Sequence, residues 1–146
     1  MSKLLDTVTK KVAQAVDRAS NHYGKKFKYP VVYLKESKSR GGYCKFRFSF
    51  WGWLFNKVSA EIMVSSYIYR IKTNKTQWLN EVIVHEVAHY ITRCLHGFKV
   101  KPHGPEWKRV MRVCFDAKPD RCFSLTAREK LKKLSGRCGR KLNGIN

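Results

Sequence analysis

The sequence has 146 residues and a net charge of +21, from 31 Lys and Arg against 10 Asp and Glu. This length predicts one domain with a real core, and 43% hydrophobic residues exclude a disordered chain. Such a charge favours a polyanionic partner, with nucleic acid ahead of an acidic protein or an anionic membrane. Without a signal-like start or a membrane-length apolar run, we expect no membrane association and a cytoplasmic protein, nucleoid-associated in a bacterium or virus and nuclear in a eukaryote.

The N-terminal half predicts a helix followed by a short strand. Apolar residues recur at helical spacing from about Lys3 to Tyr23, and Gly24 ends this pattern. Residues 29–35, "YPVVYLK", have the composition of a strand.

The five cysteines form no C-x-x-C pair and are odd in number, which is typical of reduced thiols in a cytosolic protein.

Two further strands are predicted around an aromatic turn. From Cys44 the residues alternate, with apolar side chains on one face and Lys45 and Arg47 on a basic outer face. Residues 50–56 indicate a turn, and residues 59–69 indicate a returning strand. We therefore expect an α+β fold in which a small antiparallel or mixed sheet packs between helices.

The aromatic segment "FSFWGWLFNK", residues 48–57, has the composition of a platform for single-stranded DNA. Bases stack on aromatic side chains beside a cationic groove when single strands are bound without sequence preference. The alternative is that the rings close the core over the sheet. Trp51 and Trp53 are the candidate stacking residues, and Trp53 is the ring that we expect to be exposed. The cations that flank them are Lys45, Arg47 and Lys57.

The most apolar segment, residues 74–97, predicts a helix packed on nearly all faces, with Asn74 at capping-box spacing. On this helix His85 and His89 are one turn apart, so both imidazoles project from the same side at a separation that suits two ligands of one Zn²⁺. Glu86 lies beside them and completes an H-E-x-x-H pattern on a buried helix.

A third zinc ligand is needed, because a catalytic zinc site has three protein ligands and an open position. His96 follows His89 by seven residues, about 10 Å along a helix, which is too far for a shared metal. His103 comes after the helix end, where a loop can fold back towards the first pair. We therefore expect His103 as the third ligand, with Glu106 or Asp116 as alternatives.

The segments "HEVAH" and "HGPEWKRVM" resemble the SprT family of zinc metallopeptidases, which includes the Spartan-type proteases acting on proteins crosslinked to DNA. The resemblance extends more loosely over Lys3–Ser124. It implies a zincin-like minimal protease domain over residues 1–124, with one Zn²⁺ on the three histidines His85, His89 and His103. It also implies that Glu86 is the general base and that the substrates are proteins bound to DNA.

The C-terminal residues 125–146 predict a basic helical tail. Many members of the family continue into a zinc ribbon with C-x-x-C pairs, a pattern absent from this sequence. The tail either replaces the ribbon as a DNA-binding surface, which we expect, or is a solvated end. Its candidate DNA-binding residues are Lys130, Lys132, Lys133, Arg137, Arg140 and Lys141.

These patterns predict a zinc-dependent endopeptidase of SprT type that acts on DNA-associated or DNA-crosslinked proteins and binds DNA, with single-stranded character, through a basic surface. One alternative is a nucleic-acid-binding protein with a structural zinc and no protease activity, and another is a zinc hydrolase for a different bond, such as a phosphodiester. Structural zinc normally has four protein ligands, often thiolates, and two-metal phosphodiesterases gather carboxylates, which are scarce in this sequence. Both facts favour the peptidase.

Overall fold

The computed structural model describes residues 2–47 and 58–120, in which four α-helices and a three-stranded mixed sheet form an α+β fold. The predicted fold class is confirmed. The predicted turn at residues 50–56 and the predicted tail at residues 125–146 lie outside the described residues. The division into a domain over residues 1–124 and a basic tail therefore stays a prediction.

The first helix, α1, spans Ser2–Tyr23. Val8, Val12 and Val16 recur every four residues on one side and are fully or almost fully buried. The helix stops at Gly24, whose φ of 58° lies in the left-handed region that glycine adopts without steric cost. The predicted amphipathic helix is thus confirmed.

The sheet contains β1 (Val31–Lys35), β2 (Gly42–Arg47) and β3 (Ser59–Ser65) in the order β1-β3-β2. The central strand β3 pairs in parallel with β1 and antiparallel with β2. Of the two sheet types expected from the sequence, the mixed one is therefore observed. Within the described sheet β2 is an edge strand, and it is also the strand next to the longest apolar helix.

The two faces of the sheet differ in character. Ile62 and Val64 of β3 are fully buried, and Cys44 and Phe46 of β2 pack against the same core. Lys45 points to the opposite face and is exposed. This arrangement confirms the alternation predicted for β2, because successive side chains of a strand point to opposite faces.

The second helix, α2, spans Ser66–Ile71 and replaces the end of a predicted strand. The sequence predicted a strand over residues 59–69, which is correct through Ser65 and wrong beyond it. The Ser65 hydroxyl accepts a hydrogen bond from the N–H of Ile68 at 3.0 Å. This helix cap overrides the strand preference of the β-branched and aromatic residues that follow.

The long helix α3 spans Lys75–His96 and forms the centre of the core, in contact with α1 on one side and with β2 and β3 on another. It begins at Asn74, whose side chain accepts a hydrogen bond from the N–H of Gln77 at 3.1 Å. It ends at Gly97, where φ is 72°. The predicted buried helix and both of its predicted ends are confirmed. None of the helices described here combines the length and apolar character needed to cross a bilayer.

The last described helix, α4 (Pro105–Arg109), continues directly into a π-helical turn, Val110–Cys114. A proline occupies its first turn, where a missing N–H costs no hydrogen bond. Trp107 and Met111 are buried against the core. These contacts fix the start of α4, and with it the loop that precedes it, against α3.

Candidate metal centre

Three imidazoles converge between α3 and the start of α4. His85 and His89 come from α3, and His103 comes from the loop ahead of α4. Their Nε2 atoms are 3.2 Å apart between His85 and His89, 3.1 Å between His89 and His103, and 3.2 Å between His85 and His103. Among the described residues these three, the histidine cluster, are the group that can hold a metal ion.

The spacing of the histidine cluster fits a tetrahedral ion. Zinc–nitrogen bonds of about 2.0–2.1 Å and tetrahedral angles place ligand nitrogens roughly 3.3–3.4 Å apart. Three imidazole nitrogens cannot satisfy one another at these distances, because each carries either one proton or one lone pair. A cation removes this conflict, since all three lone pairs can then point at it.

The protonation of the cluster also suits a metal. Burial, reinforced by neighbouring imidazoles, lowers the pKa of His85 to about 4 and that of His89 to about 3. Both rings are therefore neutral near pH 7, which is the form that ligates metals. His89 also hydrogen-bonds to the backbone of Pro102, whose carbonyl must be the acceptor because proline has no N–H. Such a bond fixes the imidazole tautomer and the orientation of the ring.

Trp107 of α4 packs against all three rings of the cluster. Its ring centroid lies 4.9 Å from that of His85, 5.3 Å from that of His89 and 4.7 Å from that of His103. It is fully buried. No role was predicted for Trp107, although an aromatic residue four positions after His103 is a sequence signal that could have identified it.

Arg93 holds the loop that carries His103. Its Nη1 donates to the carbonyl of Phe98 at 2.7 Å and to that of Val100 at 2.9 Å. The guanidinium group also lies 5.4 Å from the ring centroid of Phe98. The loop that supplies His103 is thus anchored to α3, the helix that supplies His85 and His89. Sequence alone could not assign this role, since nothing in the spacing tells where the guanidinium points.

Glu86 lies on the side of α3 that faces β2. Burial raises the pKa of this carboxyl group to about 8, and a hydrogen bond from the backbone of Cys44 opposes the shift. A Cβ added to Gly42 would lie 2.7 Å from Glu86 Oε1 and 2.7 Å from Val82 Cγ1. Only glycine lets β2 approach α3 this closely, so Gly42 and Cys44 together locate the carboxyl group. The Gly41-Gly42 pair ahead of the alternating strand was the available sequence signal for this contact.

The other residues considered for the site fall into three groups. His96 is exposed, and Glu106 and Asp116 are outside the histidine cluster. Lys45 and Arg47 lie on the exposed face of β2, away from Glu86. Trp51, Trp53, Lys57, Lys130, Lys132, Lys133, Arg137, Arg140 and Lys141 lie outside the described residues.

The α+β fold, with three histidines gathered from α3 and the following loop, has a zincin-like arrangement. The profile of the SprT-like family matches residues 12–128, and the chain belongs to this family. Membership indicates a metallopeptidase-type protein, and the histidine cluster provides a site where a metal ion can bind.

The similar proteins include several with the name Protein SprT. The chain is 28% identical over 120 residues to that of Pseudomonas fluorescens strain Pf0-1, covering 82% of this chain and 65% of the relative. It is 27% identical over 113 residues to that of P. fluorescens strain SBW25, covering 77% and 61%. A shorter match to that of Pseudomonas paraeruginosa strain PA7 is 36% identical over 59 residues, covering 40% and 36%. The chain thus spans less than two-thirds of these relatives, and no solved structure matches it.

Proposed function

We propose that this protein is a zinc-dependent endopeptidase that acts on proteins bound or crosslinked to DNA. The observation that carries the proposal is the convergence of His85, His89 and His103 beside a buried Glu86 that is not part of the cluster. Three protein ligands leave one position of a tetrahedral ion open, which is the arrangement of catalytic zinc and differs from the closed arrangement of structural zinc.

The histidine cluster would hold the ion, and the ion would supply Lewis acidity that acidifies water and polarises a peptide carbonyl. Glu86 is the residue placed to move the proton. A cation in the cluster would favour the ionised form of Glu86, against the neutral form that burial favours. The carboxylate would then accept a proton from the water whose oxygen bonds to the carbonyl carbon, and would return that proton to the amine nitrogen as the C–N bond breaks. Gly42 and the backbone of Cys44 hold the carboxylate for both transfers.

The proposed DNA partner is supported by the net charge of +21. A peptidase with no evident specificity pocket in its sequence needs another source of selectivity. Binding to DNA supplies it by raising the local concentration of DNA-bound proteins near the active site. The substrates are then defined by where they are held and less by their sequence.

The second candidate function is a nucleic-acid-binding protein that uses zinc only for stability. It is favoured by the contact of Trp107 with all three rings, because a metal at this position would tie α4 to α3 in the core. In that case metal removal would unfold the domain, and metal-loaded protein would cut nothing.

Digestion of histone or casein by the purified chain tests the proposal. We expect fragments in the presence of zinc, faster digestion of histone when single-stranded DNA is added, and no fragments after chelation or in Glu86→Gln. Zinc added back after chelation restores the activity. Zinc-loaded, folded wild-type protein that leaves both substrates intact, with and without DNA, would favour the structural-zinc alternative.

A further inference from the structure

A cavity of about 420 Å³ opens on the face of the sheet opposite Glu86. Its volume is within the range of ligand sites, roughly 300–1,000 Å³. Aromatic and basic side chains from β1, β2 and the loop between them supply most of its lining. The residues that matter for its chemistry are Tyr33, Tyr43, Lys35, Arg40, Lys45 and Met63.

The base of this cavity is a row of side chains across three paired strands. Met63 of β3 pairs with Tyr33 of β1 on one side and with Tyr43 of β2 on the other. Met63 is only 5% exposed, whereas Tyr43 is 38% exposed. One phenol ring therefore lies on each side of the covered Met63 thioether, and the Tyr43 ring is partly accessible to a planar ligand.

The loop between β1 and β2 closes one end of the cavity and is anchored by Ser65. The Ser65 hydroxyl donates to the carbonyl of Ser37 at 2.6 Å, and the Ser65 N–H donates to the carbonyl of Gly41 at 2.8 Å. Ser37 Oγ in turn accepts from the N–H of Arg40 at 3.2 Å. Because Ser65 is fully buried, the backbone that carries Arg40 is fixed to the sheet.

The charge of the cavity is of one sign. Lys35, Arg40 and Lys45 contribute three cations, and the residues that line the cavity include no Asp or Glu. The Arg40 guanidinium lies over one face of the Tyr43 ring, 5.6 Å from its centroid, so a cation and an aromatic ring are adjacent in the cavity. Planar surfaces beside several cations match the two chemical parts of a nucleotide, a flat base and a phosphate.

We propose that this cavity, the outer-face cavity, binds a single-stranded segment of nucleic acid, with a base on Tyr43 and phosphates on Lys35, Arg40 and Lys45. An acidic polypeptide would match the charge but would leave the aromatic surface unused, and the stacked bases of a duplex cannot reach it. The inference rests on the DNA partner of the proposed function and gives that partner a location.

This location leaves the histidine cluster accessible. Gly42 and Cys44 of β2 contact Glu86 on one face of the sheet, while Tyr43 and Lys45 line the cavity on the other. A bound strand and a protein substrate would therefore occupy opposite sides of the sheet and would not compete.

Binding of a fluorescein-labelled oligothymidylate of about eight nucleotides, measured by anisotropy over a series of salt concentrations, tests the inference. All proteins carry Glu86→Gln, so that self-digestion does not affect the result. We expect Tyr43→Ala to weaken single-strand binding by about five- to hundredfold, the loss of one stacked base, and to weaken duplex binding less. Tyr43→Phe should retain most of the affinity.

The charge contribution has its own measurement. Removing one phosphate contact lowers the slope of log Kd against log salt by about 0.7 for a single strand, and we expect this change in Lys45→Gln. Lys10→Gln, an equal charge change on the exposed side of α1, is the matched control and should leave the slope unchanged. Circular dichroism and zinc content identify any variant that fails to fold. If Tyr43→Ala does not fold, the salt dependence of Lys45→Gln alone tests whether the cavity binds the oligonucleotide.

Equal slopes for Lys45→Gln and Lys10→Gln, or unchanged affinity in folded Tyr43→Ala, would overturn the inference. The inference would also be overturned if an oligoglutamate displaced the labelled oligonucleotide as effectively as an unlabelled oligothymidylate of equal charge, because the cavity would then recognise charge alone. The result is independent of peptidase activity. If the protein binds the oligonucleotide through the cavity but wild type cuts nothing, this inference stands and the proposed function fails. If wild type cuts DNA-bound protein but the cavity variants bind the oligonucleotide normally, the proposed function stands and this inference fails.

Discussion

The two faces of β2 differ in packing and in exposure to solvent. The inward face presents Gly42, Cys44 and Phe46 to the core, and at Gly42 even a methyl group would collide with Glu86. The outward face presents Tyr43 and Lys45, both exposed, beside a cavity lined by cations. The six residues of β2 therefore position Glu86 through close packing on one face and supply a cation to the outer-face cavity on the other.

This difference predicts how each face responds to substitution. A close-packed face transmits any added volume to its neighbours, because protein interiors have little free space. An exposed face tolerates changes of side chain and loses only what the side chain binds. Substitutions in the inward region should therefore alter chemistry, and those on the outward face should alter ligand affinity.

The largest effect is expected in the metal centre that the inward face supports. His103→Ala should lose most of the bound zinc, because two imidazoles cannot hold the ion as three do. Elemental analysis of the purified chain measures this loss. His96→Ala is the matched control, since His96 is exposed and outside the cluster, and it should keep one zinc per chain. The ligand assignment is wrong if His96→Ala loses the metal and His103→Ala retains it.

A smaller but specific effect is expected from Gly42→Ala. The new methyl group would displace Glu86, and a misplacement of about 1 Å lowers turnover by roughly a hundredfold. We expect kcat to fall while KM and zinc content stay unchanged, which separates a positioning defect from a general loss of structure.

Gly24→Ala is the control for this glycine substitution. Gly24 has a φ of 58° and no atom within 4 Å of an added Cβ, so its replacement costs about 1–2 kcal/mol of backbone strain far from Glu86. It should lower the thermal midpoint without changing kcat. A similar kcat for Gly42→Ala and Gly24→Ala would show that Gly42 does not position the carboxylate.

The smallest effect is expected on the outward face at Arg47, which pairs with Glu61 at 2.6 Å and is 71% exposed. Exposed ion pairs contribute about 0–1 kcal/mol, so Arg47→Ala should change the free energy of unfolding by less than about 1 kcal/mol. It should also weaken oligonucleotide binding less than Lys45→Ala, because Arg47 already has a carboxylate partner and does not line the cavity. Urea denaturation and anisotropy measure the two quantities. A loss of stability well above this range would mean that the outward face is structural.

Local patterns in the sequence predicted the parts of this fold that depend on neighbours in the chain. The periodicity of α1, the capping of α3 by Asn74 and the alternation of β2 are all local, and each was predicted correctly. The strand predicted through residue 69 is wrong beyond Ser65, because the Ser65 cap starts α2 in spite of the β-forming residues that follow.

The parts of the structure that were not predicted depend on contacts between distant segments. The parallel pairing of β1 with β3, the contact of Gly42 with Glu86 and the position of Trp107 beneath three imidazoles each join residues far apart in the chain. His103 is the instructive exception. Its closeness to His85 and His89 was expected, because the end of α3 and the need for a third ligand together constrained the loop. For Trp107 the only signal was its position four residues after His103, and no comparable constraint pointed to the outer-face cavity.

Peptide hydrolysis with ¹⁸O-labelled water measures the central claim most directly. A DNA-bound histone is incubated with wild type or with Glu86→Gln at equal zinc content, and new C-termini are examined by mass spectrometry. We expect wild type to produce fragments that carry one ¹⁸O at each new terminus. Glu86→Gln should produce at least about a hundredfold fewer, because the general base contributes 10²–10⁴ to such rates. Equal fragment yields from the two proteins, or no labelled fragments from zinc-loaded wild type, would contradict the account.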